Sequence, residues 1–368
     1  MEITIEGKIY QGDLTPIKGF IRIKDGIIKE FSSNKLNKDP DYQGTVFPSF
    51  VNAHTHLGDS IFDVDPKKYS LEELVGPGGY KERKLESTSH KEKEAGIIEA
   101  LQKGLRQGVT DFCDFREEGI KGAKLLKRAS SKCKATVKIL GRPREVTEKR
   151  VLNLLDYTDG LGISSVNDYP KKDLNIFKKF SKKRDIDLAL HAAETDKGQD
   201  KSIRETNKTE VERAISLSPY HIVHATNPRK SDLEKIENNN IPVVICPRSN
   251  KITEVGLPPY LEMIERDIQV GIGTDNAMLC DTSILNEIKF LYEEIKEKSE
   301  APVDLPKKLI RSSTLDGARI IGKDNEIKEG NIPSMILIEE KNFSPKSLLK
   351  NKDPIDIVFK GSEVISNV

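Results

Sequence analysis

VFPSFVNAHTHLGD, residues 46–59, runs from an apolar stretch into two histidines one residue apart. In a β-strand, residues i and i+2 share a face, so His54 and His56 project together toward one target. Two readings fit such a pair taken alone: a bound metal, or a strand end whose imidazoles bond to nearby backbone groups. The rest of the chain has to decide.

Outward from this stretch, short apolar runs recur: TVFPSFVNAH, VTDFCDF, ATVKILG, DGLGISSV, DLALHAAE, HIVHAT, PVVICPRS and QVGIGTDN. Helical segments lie between them. In HKEKEAGIIEALQKGLRQG, Ile98, Leu101 and Leu105 recur at helical spacing, and Gly108 stands where a glycine ends a helix. Eight strands alternating with helices predict an α/β fold, a closed (β/α)8 TIM barrel. An open doubly wound sheet is the competitor, but it gathers its ligand contacts at one switch point. Before the barrel, EITIEGKIY and GFIRIKDGIIKEF, with KDG as a turn, form a small β-unit.

Sixty basic residues against fifty-nine acidic ones leave a charge of +1, which gives no reason to expect nucleic acid or an anionic membrane as partner. The expected partner is a small-molecule substrate, with a homo-oligomer open. No apolar run approaches the roughly 20 residues of a membrane span, and MEITIEGKIY lacks the layout of a signal peptide, so a cytoplasmic location is expected. Cys113, Cys133, Cys246 and Cys280 contain no C-x-x-C pair and read as small core residues. The wealth of Lys, Glu and Ile resembles heat-adapted proteins, a weak indicator by itself.

The polar residues separate the two sheet architectures. His54 and His56 follow the first strand, His191 the fifth, His224 the sixth, and Asp275 the eighth, which neighbours the first when a barrel closes. Catalytic groups of barrels gather at this C-terminal face. Three imidazoles and a carboxylate suit zinc, with iron or manganese as alternatives. His224 taken alone could be a core histidine. His221, opening its strand, and His90, opening a helix, are expected in surface or capping roles.

FPSFVNAHTHLGD, HAAET, IVHAT, CPRSN and GIGTDNAM resemble, in order and spacing, the motifs of the amidohydrolase superfamily, in particular its mononuclear branch of cytosine, adenosine-type and triazine deaminases and chlorohydrolases. The resemblance covers nearly the whole chain. It implies a TIM barrel over residues 46–322, flanked by a small β-sandwich built from residues 1–45 and 323–368. It further implies one divalent metal, zinc before iron or manganese, held by His54, His56, His191 and Asp275. Glu194 matches the proton-transferring acid, and His224 the histidine serving the hydrolytic water or tetrahedral oxygen. Asp275 doubles as acceptor of the water's proton. The chain departs from the family pattern at Ser49, where a glycine is usual, and at Pro333 and Ser334.

The binuclear branch places a carboxylated lysine at the end of its fourth strand. GLGISSV offers no such residue, and Lys138 on the third strand is expected to point outward. The implied activity is hydrolysis of a non-peptide carbon–nitrogen bond by a hydroxide generated at the metal. Its implied substrate is an aminated N-heterocycle resembling a nucleoside or nucleobase, with deamination as the outcome. A cyclic amidase or chlorohydrolase would use the same apparatus, and an inactive binding homologue is the reading from another class. Asn250, Arg248 and Arg142 are candidate substrate contacts, with Arg116 near them. Each arginine could equally be salt-bridged at the rim. The stretch DSIFDVDPKKYSLEELVGPGGYKERK, with Lys81, Arg83 and Lys84 after GPGG, could form a lid.

Overall fold

The computed structural model describes residues 2–366 apart from 35, 77, 185 and 299; Pro77 of the GPGG turn therefore lies outside the described residues. The chain begins with β1 (Glu2–Gln11), β2 (Thr15–Lys24), β3 (Ile27–Ser32) and β4 (Tyr42–Pro48). It continues through β5 (Phe50–His56), β6 (Val109–Arg116), β7 (Thr136–Gly141), β8 (Gly160–Ile163) and β9 (Leu188–Ala192). Next come β10 (His221–His224), β11 (Val243–Ile245), β12 (Val270–Ile272) and β13 (Asp275–Asn276). It returns with β14 (Ser334–Ile338), β15 (Ile357–Lys360) and β16 (Glu363–Ser366).

β1–β4 and β14–β16 make one seven-stranded mixed sheet in the order β16-β15-β14-β4-β1-β2-β3, so both ends of the chain share it. Its core is separate and apolar: Ile3, Ile5, Ile21, Ile23, Met335, Leu337 and Phe359 pack in one cluster. β5–β13 form the barrel, in the order β12-β11-β10-β9-β8-β7-β6-β5-β13. β12 and β13 are two halves of the eighth strand. The first pairs with β11, and the second closes the ring by placing Asp275 opposite Thr55 and Asn276 opposite His56.

The run expected as one strand, TVFPSFVNAH, is two. Up to Pro48 it pairs with β1 and β14 in the terminal sheet; from Phe50 it pairs with β6 in the barrel. Ser49 is the joint. Its N–H donates to Ser334 O (3.0 Å), its carbonyl accepts from Asn325 Nδ2 (2.8 Å), and its hydroxyl lies 2.6 Å from Thr110 Oγ1. A buried serine is tolerated here because every polar atom has a partner.

Helix His90–Arg106 begins with a Ser89–Glu92 capping box and buries Ile97, Leu101 and Leu105. Gly108 follows with φ +84°, and a Cβ there would meet Ile336 Cγ2 at 2.8 Å, so glycine is required by both backbone and space. The barrel interior holds Val51, Ala53, Cys113, Leu140, Ala189, Val223, Val244 and Cys246, and is plugged from below by Ala318, Ile320 and Ile321. Among the described residues, no helix is long and apolar enough to cross a membrane.

Candidate metal centre and active site

Two backbone departures aim the histidines. Val51 and Ala53 face the interior, so strict alternation would turn residue 55 inward next. The β5–β6 register slips by one residue between Asn52 and Thr55, and His54 and His56 take the inward positions. On β10, Val223 is inward, and the left-handed backbone of His224 (φ +77°) swings its ring into the mouth as well. Asp275 is also left-handed (φ +58°). Non-glycine residues held in this region cost energy and gather at functional sites. On the eighth strand, Gly273 lets the chain pass against His54: a Cβ there would lie 2.6 Å from His54 O.

The side chains converge. His54 Nε2 lies 3.3 Å from His191 Nε2 and 3.3 Å from Asp275 Oδ1, and His56 Nε2 lies 3.5 Å from the same oxygen. Ligand atoms about 2.0–2.2 Å from one ion in tetrahedral geometry stand about 3.3–3.6 Å apart, so these three separations fit zinc-like coordination. Asp275 Oδ1 is buried without a hydrogen-bond donor, while Oδ2 accepts from Ser249 Oγ (2.6 Å). One oxygen is thus held and the other left for a cation. His54, His56 and His191 are the one group of three metal-capable side chains found among the described residues.

Electrostatics keep the nitrogens available. Burial pushes His54 down to about 3 and His191 well below its ordinary value, so both present neutral rings with a lone pair. Burial alone would raise Asp275. The close approach of His54, with His224 and His56 nearby, outweighs it and holds the carboxyl well below its ordinary range. Burial raises Glu194, which lies 3.7 Å from His224 Nε2 and whose carbonyl is fixed by Asn227 Nδ2 (2.6 Å). A carboxyl with that bias holds a proton longer than usual, as a general acid must.

Asn250 Oδ1 lies 3.1 Å from His224 Nδ1, and Asn250 Nδ2 donates to Thr226 Oγ1, so this amide orients the histidine. Arg248 is engaged by Glu287 (Nε to Oε1, 2.7 Å) and Asp281 (Nη2 to Oδ1, 2.8 Å). Arg116 is fully buried, 3.2 Å from Glu118. Arg142 follows β7 at the same end of the barrel, and its buried Nε has no hydrogen-bond partner among the described residues.

Two expectations are corrected. His221 is completely buried rather than at the surface, because it shares the inward face of β10 with Val223; burial takes its pKa down to about 3. Lys138 points to the floor of the barrel, where Asp187 Oδ2 and the carbonyl of Ile321 receive it and Tyr220 lies under it at 4.7 Å. It lies at the end opposite His54, His56 and His191. His90 is exposed at its helix start.

A group behind His56 escaped the sequence reading. Glu117 Oε1 is 2.7 Å from His56 Nδ1 and 2.7 Å from Lys81 Nζ, while Lys81 also reaches Asp59 (3.1 Å) and Asn276 Oδ1 (2.8 Å). Glu210, at the start of helix Glu210–Ile215, accepts from the backbone N–H of Ala193 (3.0 Å) and so shapes the turn carrying Glu194. Acidic residues in charged stretches carry no signal of burial. The HxH pairing with a carboxylate behind the imidazole is the one rule that could have directed a search for Glu117.

Residues 45–364 match the model of the amidohydrolase family. The chain belongs to that family. It is 30% identical to a putative aminohydrolase of Methanothermobacter thermautotrophicus, over 99% of each chain. It is 25% identical to a 5-methylthioadenosine/S-adenosylhomocysteine deaminase of Pyrococcus furiosus, over 97% of this chain and 93% of that one. In fold it is similar to a zinc-bound adenosine deaminase of Xanthomonas campestris, with TM-score 0.79 and 16% identity over 98% of this chain and 92% of that one. This amidohydrolase is accordingly a hydrolase of the class acting on carbon–nitrogen bonds other than peptide bonds.

Proposed function

We propose that this amidohydrolase deaminates an aminated N-heterocycle of nucleoside or nucleobase type, using one zinc ion held by His54, His56, His191 and Asp275. The reading is carried by the clustering of His54, His56 and His191, with Asp275 Oδ1 3.3 Å from His54 and 3.5 Å from His56 and a proton-holding Glu194 near His224. Relatives named as deaminases of adenosine derivatives support the leaving group.

A zinc ion bound here supplies Lewis acidity that makes a water nucleophilic near neutral pH. The chain's own groups then manage protons. Asp275, ionised and anchored by Ser249, accepts the proton that the water gives up. Glu194 protonates a ring nitrogen, making the adjacent amino-bearing carbon electrophilic; Asp275's proton goes to the departing amine, and the proton of the added hydroxyl returns to Glu194 as the carbonyl forms. Water plus amine thus yields a carbonyl and ammonia. His224 serves the oxygen added to that carbon. Asn250 orients the ring at Nδ1, so that Nε2 faces the side of the site where that oxygen is added. Arg142, the one of the three candidate arginines with an unengaged Nε, is the cation available to a substrate substituent.

The test is ammonia release from nucleosides, pterins, cytosine and aminotriazines by zinc-loaded and chelator-stripped protein. Zinc-dependent release from at least one of these compounds is expected. Chloride release alone, or hydrolysis confined to cyclic amides, would replace the deaminase reading with another chemistry of the same family.

A further inference from the structure

The connection between β5 and helix His90–Arg106 is mostly exposed; from residue 60 to 89, only Leu74, Gly79, Lys81 and Leu85 of the described residues are buried. Three of these are small or apolar. Lys81, on helix Tyr80–Ser87, is the exception, with 6% of its surface exposed. Burying an ammonium costs several kcal/mol unless partners compensate it. Here the partners come from three strand ends: Asp59 just beyond β5, Glu117 just beyond β6, and Asn276 in β13.

Each partner leads to the metal centre. Glu117 Oε1 stands 2.7 Å from both Lys81 Nζ and His56 Nδ1, and the same Nδ1 lies 3.1 Å from the carbonyl oxygen of Phe115. The Phe115 carbonyl, which can only accept, and the Glu117 carboxylate beside it both favour a proton on Nδ1 of His56, leaving the Nε2 lone pair facing Asp275 and the other imidazoles. A carboxylate behind a ligating histidine orients the ring and raises its basicity. Asn276 is covalently next to Asp275. Asp59 Oδ1 accepts the N–H of Met278 (3.1 Å), fixing the turn after β13. Without the ammonium, Asp59 and Glu117 would be uncompensated acids with a shared neighbour, and the orientation of His56 would lose its anchor.

We propose that Lys81 is a positioning residue for the metal centre, brought in by the β5 connection, which holds His56 through Glu117 and the Asp275 strand through Asn276. Docking of that connection and retention of the metal are therefore one coupled event. Coupling is reciprocal: what the docked segment contributes to metal affinity, the metal returns as protection of the segment. The inference rests on the assignment of the histidines to a metal.

The experiment measures the zinc dissociation constant by chelator competition and amide hydrogen exchange across Tyr80–Ser87, with and without zinc. Wild type, K81M and the exposed neighbour K84M on the same helix are compared. K81M is expected to lose about 10- to 100-fold in zinc affinity, with K84M within about twofold of wild type. Zinc should slow exchange in Tyr80–Ser87 of wild type and K84M but not of K81M. Zinc affinity of K81M within about threefold of wild type would overturn the proposal. So would exchange in wild-type Tyr80–Ser87 that ignores zinc, a result that decides even if K81M does not fold. Failure of wild type to bind zinc at all would remove the metal assignment itself.

Discussion

In the terminal sheet, Ile5, Ile21, Met335 and Phe359 bury apolar surface against one another, and a change to any of them alters how firmly the chain folds. At the barrel mouth the buried side chains include His54, His56, His224 and Asp275 at strand ends, Asp59 just beyond β5, and Lys81 on the helix Tyr80–Ser87. Burial opposes the charged form of His54, Asp275, Lys81 and Asp59. They are held by one another, by left-handed backbone at His224 and Asp275, and by a register slip in β5. The first region is satisfied by itself. The second is built for a cation and a substrate, and the rest of the barrel carries its cost.

The largest separation of the two regions should come from Glu194→Gln. It preserves shape and removes the general acid, so ammonia release is expected to fall about 100- to 10,000-fold while zinc affinity and thermal stability stay near wild type. Near-normal turnover would mean that the substrate needs no ring protonation. The converse change is Phe359→Ala, which opens a cavity in the terminal sheet and should cost about 3–5 kcal/mol in a denaturant titration. At temperatures where the variant is folded, its zinc affinity and turnover should match wild type. Loss of zinc in the folded variant would show that the two regions are not independent.

The smallest effect concerns acid stability on the barrel's outer surface. Hydrogen bonds from Arg128 and Lys132 hold Glu94 down to about 2 from its ordinary 4.5. A depressed carboxyl stabilises the fold above its unfolded value, and that contribution disappears as pH falls from about 4.5 toward 2. Glu94→Gln should therefore lower the melting temperature slightly at pH 6 and converge with wild type at the acid end. A difference that persists unchanged at low pH would assign the effect to packing.

The barrel and most of its mouth were readable because they rest on local pattern. Strand runs alternate with helices, and His54, His56, His191, His224 and Asp275 stand at strand ends. What was not readable depends on partners distant in sequence. VFPSFV is evenly apolar, so nothing local says that hydrogen bonding changes sheet at Ser49. REEG and KERK look like solvated turns, yet Glu117 and Lys81 come from them and meet behind His56. His221 has the same neighbours in sequence whether it faces in or out. The parity it shares with Val223 places it inside.

In the proposed site four donors hold one cation and His224 stands outside its coordination. Metal analysis of purified wild type, His191→Ala and His224→Ala tests this directly. One zinc per chain is expected in wild type, almost none in His191→Ala, and a full complement in His224→Ala despite its lost turnover. Two metals per wild-type chain, or a His224→Ala protein as empty as His191→Ala, would contradict it.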